Sequence, residues 1–196
     1  MAQFDWEDFF LETEGFFTGF ADFLATRYDF VLIDSRTGMT DISSICTMVL
    51  PSKLVVVFTP NTQSLTGIEE LIRKAVHYRL KSADERPLQV FPLPSRIPID
   101  RPRLYQTWRY GGTTESSTVA IRGYQRVFEA VFAEVYDFTS LQNQFEDYFN
   151  QAQLQQISDY AYGEPIAVEL EKDESRLSIR ASYEAFLELL LELDGP

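Results

Sequence analysis

Asp34 and Gly38, an acid and a glycine four residues apart, are the residues whose types and spacing best fit a chemical task. Asp34 ends the apolar run at residues 28–33, and Gly38 closes the polar turn that follows. A carboxylate in that place can hold Mg²⁺, usually through a water, because Mg²⁺ prefers oxygen ligands and dehydrates reluctantly. A glycine lets its backbone N–H approach a phosphate oxygen unobstructed. The same pattern also fits an aspartate that only caps the next turn.

Two apolar runs, residues 28–33 and 54–58, must position these groups. Both are continuous rather than alternating, which indicates strands buried on both faces of a parallel sheet. An acid at the carboxyl end of such a strand stands where open α/β sheets bind ligands. A hydrophobic strand that ends in Asp before a glycine turn is also the Walker B and switch II arrangement of P-loop NTPases. Further strands are predicted at 88–94 and 154–157.

Apolar residues at helical spacing predict the helices that accompany these strands. One of them should begin at Thr66, because Thr66 and Glu69 match the capping box. The segment 97–118 is rich in Pro, Gly, Ser and Thr and is predicted as a mobile surface loop. Its arginines fit either recognition of an anionic partner or a charge-balanced loop. The predicted helices lie at 14–25, 66–80, 124–135, 141–149 and 179–191.

The segment VLIDSRTG at residues 31–38 closely resembles the D-[ST]-x-x-G segment of the ParA/MinD-type (deviant Walker A, SIMIBI class) P-loop ATPases. The nearest match is the bacterial subgroup in which the segment is YDYVLIDSRTG. The resemblance continues, in the family's order, over most of the chain. It implies an α/β, three-layer P-loop NTPase-like fold with a mostly parallel sheet, and Mg²⁺ and ATP as cofactors. The further matching segments are residues 43–47, 59–67, 91–96 and 160–167.

The resemblance assigns roles to four residues near the ends of the predicted strands. Asp34 would position Mg²⁺, through a water, and Gly38 would sense the γ-phosphate. Ser95 and Arg96 occupy the place where relatives carry an Asn-Arg-like pair near the adenine. A hydroxyl can bond the base edge and a guanidinium can stack on its face. A simple turn after a strand explains Ser95 and Arg96 equally well.

A second base-proximal segment is implied near the C-terminal end of the resemblance. The family's loop that resembles this segment lies against the nucleotide base. Its members here are Tyr160, Tyr162, Gly163 and Pro165. A backbone rim with an aromatic side chain suits that role, and a Gly-Pro turn with buried tyrosines is the alternative.

The family's phosphate-binding loop, K-G-G-x-G-[KR]-[ST], belongs well upstream of the Walker B strand. Residues 1–27 contain no lysine, and their only glycines are Gly15 and Gly19. We therefore expect residues 1–196 to form a single, incomplete domain that lacks the N-terminal strand and the phosphate loop. Such a chain should show negligible ATPase activity in isolation. The alternative is a non-catalytic interaction or scaffold module on a degenerate P-loop NTPase fold.

The acidic composition bears on partners and compartment. The formal net charge of −13 argues against nucleic-acid binding, which needs a basic surface, and against attachment to anionic membranes. A single cysteine and the absence of a basic-then-apolar leader predict a cytoplasmic protein. An open sheet edge and the N-terminal aromatic segment are predicted contacts for a protein partner or the missing N-terminal half. The resemblance also implies a nucleotide-dependent homodimer. The aromatics concerned are Phe4, Trp6, Phe9 and Phe10.

Overall fold

A computed structural model describes residues 15–35, 44–82, 86–98, 100–114, 117–136, 142–160, 166–171 and 178–192. These residues form a mixed α/β structure with a small parallel sheet, which confirms the predicted fold class at that coarse level. The chain groups into two compact units. Of the described residues, those within 1–54 and 71–89 belong to the smaller unit, and those within 55–70 and 90–196 belong to the larger one.

The elements are numbered by type in chain order. Two predicted strands, 54–58 and 88–94, and all five predicted helices are confirmed, with bounds that differ by four residues or fewer. The helices and turns are α1 (Phe16–Ala25), a π-helical turn (Ile45–Val49), α2 (Thr62–Lys81), α3 (Pro102–Tyr110), α4 (Tyr124–Tyr136), α5 (Gln142–Gln151), a 3₁₀ turn (Ser158–Tyr160), α6 (Ala167–Leu170) and α7 (Ile179–Glu192). The strands are β1 (Lys53–Phe58), β2 (Gln89–Pro94), β3 (Gly112–Thr114) and β4 (Ser117–Ile121).

Strands β1 and β2 pair in parallel. The backbone N–H of Gln89 donates to the carbonyl of Ser52 at 2.9 Å, and the N–H of Ser95 donates to that of Phe58 at 2.7 Å. Both strands therefore advance by six residues in the same direction. Strand β2 is almost entirely buried, as a continuous apolar strand of an α/β sheet should be. Strand β1 is buried on one face, at Leu54, Val56 and Phe58, whereas Val57 is 57% exposed.

The strand predicted at 154–157 is reduced to a single parallel bridge between Ile97 and Gln155. The N–H of Leu154 donates to the carbonyl of Pro94 at 2.8 Å, and the N–H of Gln156 donates to that of Ile97 at 2.8 Å. The chain beyond β2 thus has a short parallel neighbour, which brings the residues after Leu154 to the carboxyl side of the sheet.

The strand predicted at 28–33 is not formed, and this prediction was wrong. These residues carry no strand assignment, and β1 pairs with β2 instead of with them. The side chains of Phe30 and Leu32 are 69% and 94% exposed. A strand exists only where a neighbour satisfies its backbone groups, and the apolar run meets no such neighbour in the described part of the chain.

Helix α2 begins four residues earlier than the capping box at Thr66 predicts. Its first turn is capped by Asn61, whose Oδ1 accepts a hydrogen bond from the N–H of Ser64 at 2.8 Å. Asn is among the best N-cap residues, and its position directly after β1 fixes the start of the helix. The hydroxyl of Thr66 instead donates to the carbonyl of Thr62 at 3.0 Å, within the helix.

The segment 97–118 contains regular structure where composition predicts a surface loop. It holds α3 and β3, and β3 pairs antiparallel with β4. The physical reason is Arg109, which is only 2% exposed and bonds to residues of α4 and α5. A buried, hydrogen-bonded guanidinium holds α3 against α4 and α5, so that polar composition alone misjudges this segment.

The core of the larger unit is strongly aromatic. Ring centroids of Tyr124 and Phe149 lie 5.0 Å apart, and those of Phe58 and Phe128 lie 5.3 Å apart. Such edge-to-face and tilted pairs add about 0.5–1.5 kcal/mol each beyond area burial. The cluster joins β1, α4 and α5 into one packed body.

In the smaller unit, the buried Arg79 stabilises the end of the π-helical turn. Its guanidinium donates to the carbonyls of Met48, Val49 and Pro51 at distances of 2.7–2.9 Å. Carbonyls at the end of a helix lack partners within the helix, and Arg79 supplies them. None of the helices in the described ranges combines the length and the apolar character needed to cross a bilayer.

Candidate functional site

A cleft of about 430 Å³ opens in the larger unit where the parallel segments end. Residues that follow the three parallel segments line it: Thr59 and Pro60 follow β1, Arg96 follows β2, and Gln156 and Ser158 follow the bridged segment. The carboxyl edge of a parallel sheet is where open α/β folds bind ligands. A volume of this size falls in the range of small-molecule sites.

Helix α3 forms the other wall of the cleft. Leu104, Tyr105 and Trp108 line it, and all three are half-buried. Spacings of three and four residues place these side chains on one face of the helix. Arg101, at the start of the helix, also lines the cleft and lies 4.0 Å from the carboxylate of Asp100. The Asp100 carboxylate lines the cleft as well, so the lining combines aromatic surface with two guanidinium groups and one carboxylate. The guanidinium groups suit a planar, anionic ligand.

Arg96 adopts an unusual backbone conformation. Its φ is 58°, the left-handed region, and no other non-glycine residue of the described ranges has a positive φ. A non-glycine residue held there costs about 1–2 kcal/mol. Such strain concentrates at ligand sites, where the surrounding structure maintains it. The turn exposes the Arg96 side chain at the mouth of the cleft.

The cleft wall is anchored from behind by Arg109. Its guanidinium donates to Gln125 Oε1 at 2.9 Å, to Asn150 Oδ1 at 2.8 Å and to the carbonyl of Glu146 at 2.8 Å. It also donates to the hydroxyl of Tyr105 at 2.9 Å, and Tyr105 itself lines the cleft. The planar fork of arginine thus fixes α3 on α4 and α5 and orients one of the cleft's aromatic rings.

The pKa values of two ionisable groups next to Arg109 are shifted by neighbouring side chains. The Tyr110 hydroxyl donates to Glu146 Oε1 at 2.7 Å, and this bond, with one from Gln125 and the charge of Arg109, lowers the pKa of Glu146. Burial and the same bond to Glu146 raise the pKa of Tyr110 to about 12. The Arg109 cluster therefore keeps a charged carboxylate and a neutral phenol side by side at neutral pH.

Gly123 allows the hairpin β3–β4 to close against the end of α3. Its φ is 74°, and a Cβ at this position would stand 2.8 Å from the carbonyl oxygen of Tyr110. Only glycine accommodates both that conformation and that close approach. The neighbouring Arg122 forms a two-pronged ion pair with Glu69 of α2, with both N–O distances at 2.9 Å.

The predicted site residues lie in different parts of the chain, and one of them lines the cleft. Arg96 lines the cleft, and Ser95 beside it is half-buried. Tyr160 lies two residues beyond the cleft-lining Ser158. Partial desolvation and the nearby Glu171 raise the pKa of its phenol. Asp34 is exposed and belongs to the smaller unit. Gly38, Tyr162, Gly163 and Pro165 lie outside the described residues.

Sequence reasoning missed Trp108, Tyr105 and the anchoring role of Arg109. Two signals in the sequence could have located their helix. Proline is favoured at the first helical position, which Pro102 occupies, and glycine is favoured just past the end, where Gly111 stands. The content of Pro, Gly, Ser and Thr in residues 97–118 predicted a loop in spite of these two signals.

The implied magnesium ion has few protein ligands available. In the part of the chain that the structure describes, no three acidic, histidine or cysteine side chains gather closely enough to hold a metal. Mg²⁺ bound with a nucleotide needs only one or two carboxylates besides phosphate oxygens and water. The exposed Asp34 fits that limited role, since a single accessible carboxylate can contact a hydrated ion.

Comparisons with protein-family models, with curated proteins and with solved structures found no match to this chain.

Proposed function

We propose that this chain is the C-terminal part of a cytoplasmic, ParA/MinD-like nucleotide-dependent switch ATPase with a three-layer P-loop NTPase-like fold. The cleft of the larger unit would hold the nucleotide base and ribose. The observation that carries the proposal is the position of Arg96, which lines a cleft at the carboxyl ends of β1 and β2. The resemblance assigns Arg96 to the adenine independently of that geometry.

The charges of the cleft support an anionic ligand. Arg96, Arg101 and Asp100 line it, so its charged side chains sum to one positive charge, although the chain carries a formal net charge of −13. Two guanidinium groups against one carboxylate at a cleft of an acidic protein favour a phosphate-bearing ligand over a neutral one. The backbone strain at Arg96 is a second feature that a ligand site would explain.

The resemblance separately assigns Asp34, in the smaller unit, to hydrated magnesium, and the cleft is proposed as a base site without it. Mg²⁺, when bound, would neutralise phosphate charge. The chain's own residues would bind and orient the base through Arg96 and the surrounding turns. The isolated chain should show negligible ATP hydrolysis, because the family's phosphate loop supplies most of the charge stabilisation in that reaction.

Equilibrium binding of a fluorescent ATP analogue with Mg²⁺ tests the proposal. We expect saturable binding that Arg96→Ala weakens; a loss in Asp34→Ala as well would support the role that the resemblance assigns to Asp34. Two matched controls should bind normally: Arg103→Ala removes an exposed arginine of α3 that does not line the cleft, and Asp29→Ala removes an exposed acid near Asp34. No binding at millimolar nucleotide would contradict the proposal. Magnesium-dependent turnover lost in Asp34→Ala would contradict the predicted inactivity.

One observation favours a second function, a non-catalytic interaction module. The apolar residues 28–33 are exposed on both faces, and a run of this composition is suited to pairing with a strand of another protein. Replacing the 94% exposed Leu32 with aspartate should then abolish binding to such a partner and leave nucleotide affinity unchanged. A homodimer formed through this segment would dissociate in the same variant, which sedimentation would detect.

A further inference from the structure

We propose that Trp108 is the stacking surface for the ligand's base and that it selects purine over pyrimidine nucleotides. This inference rests on the proposed function and deepens it. The resemblance points to Arg96 and to the segment near Tyr160 for base contacts, whereas the structure adds a helix that brings an indole to the same cleft.

The first step is the placement of the indole. Arg101, Leu104, Tyr105 and Trp108 all line the cleft, and their spacing of three, four and seven residues makes one continuous stripe along α3. Trp108 is half-buried, so that part of the indole is held by the protein and part remains accessible. A ring in that state can stack on a ligand with little loss of conformational freedom.

The second step distinguishes Trp108 from the other aromatic of the stripe. The hydroxyl of Tyr105 accepts a hydrogen bond from Arg109 at 2.9 Å, so the orientation of that phenol is set by the anchor of the helix. Trp108 is adjacent to Arg109 in sequence, and the buried guanidinium therefore fixes the backbone that carries the indole. Tyr105 shapes the wall, and Trp108 supplies the larger aromatic face.

The third step concerns the opposite side of the cleft. Arg96 comes from the strand side and Trp108 from the helix side. A planar base that enters between them would meet an indole on one face and a guanidinium on the other, and both contacts favour aromatic rings. A bicyclic purine overlaps the bicyclic indole more fully than a pyrimidine does. The size of the base would then determine which nucleotide binds more tightly, because the phosphates are common to all nucleotides.

Tryptophan fluorescence tests this directly, because the chain has two tryptophans, Trp6 and Trp108. In a Trp6→Phe background, Trp108 is the sole reporter. We expect ATP and GTP with Mg²⁺ to quench its emission, CTP and UTP to bind several-fold more weakly, and inorganic tripolyphosphate to leave the emission unchanged. Trp108→Ala should weaken ATP binding about 5- to 150-fold, the loss that corresponds to about 1–3 kcal/mol of stacking. Trp108→Phe should recover most of that loss.

The outcomes separate this inference from the proposed function. If Trp108→Ala binds ATP as tightly as its parent while Arg96→Ala does not, stacking on Trp108 is refuted and nucleotide binding stands. Equal affinity for purine and pyrimidine nucleotides also refutes it. If the parent binds no nucleotide, both proposals fail. Should Trp108→Ala not fold, as circular dichroism would show, the emission of the parent and the affinity of Trp108→Phe decide the question.

Discussion

Replacing Arg109 with methionine should lower the free energy of unfolding by about 3 kcal/mol. The guanidinium is 2% exposed and joins α3 to Gln125 of α4 and to Asn150 and Glu146 of α5. Methionine has a similar length and fills much of the same space, but it donates no hydrogen bond. The change therefore isolates the polar contribution of the side chain.

The magnitude follows from the exposure of each partner. Gln125 is buried, and leaving its amide oxygen unpaired costs about 1–3 kcal/mol. Tyr105, Asn150 and the Glu146 carbonyl are exposed or only partly buried, so water replaces the lost bonds at about 0.5–1 kcal/mol each. Burial of the methionine side chain returns about 1 kcal/mol. The net loss is about 3 kcal/mol.

Urea-induced unfolding followed by circular dichroism measures this change. Glu146→Gln is the matched control, because it removes the ion pair with Arg109 but keeps an acceptor for Tyr110. The Glu146 side chain is 44% exposed, so we expect a loss below about 1 kcal/mol. Equal losses in Arg109→Met and Glu146→Gln would show that the ion pair, not the buried fork, anchors α3. A loss below about 1 kcal/mol in Arg109→Met would refute the anchoring role altogether.

Three further predictions concern backbone conformation and pH. Gly123→Ala should destabilise the chain by about 2–4 kcal/mol, because its φ of 74° and the carbonyl of Tyr110 leave no room for a Cβ; an unchanged melting temperature would contradict this. Arg96→Gly should relieve the left-handed backbone strain and stabilise the fold by about 0.5–1 kcal/mol, while it weakens nucleotide binding. Arg96→Ala should weaken nucleotide binding without stabilising the fold. Equal stability of the two variants would argue against backbone strain at this position. Burial raises the pKa of Tyr110 to about 12, so the folded state favours the neutral phenol, and the stability it contributes below pH 10 should be lost between pH 10 and pH 12. Tyr110→Phe should flatten alkaline unfolding curves in that window, and an unchanged curve would contradict the assignment.

The parallel strands could be predicted because buried strands are rich in apolar residues, and this composition is visible in the sequence. Both 54–58 and 88–94 are rich in apolar residues and form strands; the structure buries β2 almost entirely, but only one face of β1. Residues 28–33 have the same character, yet they form no strand. Composition reports that a segment can pair, but the neighbour that satisfies its backbone is set by the whole fold.

The candidate site was only partly predictable for a related reason. Arg96 was assigned from the resemblance and lies at the cleft, while Trp108 was missed. The helix that carries Trp108 depends on the buried Arg109 and on Gln125, which is 16 residues away in sequence. The sequence alone does not distinguish a buried arginine from a surface arginine in a polar segment, because burial depends on partners that are distant in sequence.

Photolabelling with an azido-purine analogue of ATP tests the central claim most directly, because it reports where a nucleotide lies. We predict that Mg²⁺ and the analogue label peptides of the cleft, at residues 96–108 or 156–158, and that unlabelled ATP prevents this labelling. Labelling outside the cleft, or labelling that excess ATP does not reduce, would contradict the assignment of this cleft as a nucleotide site.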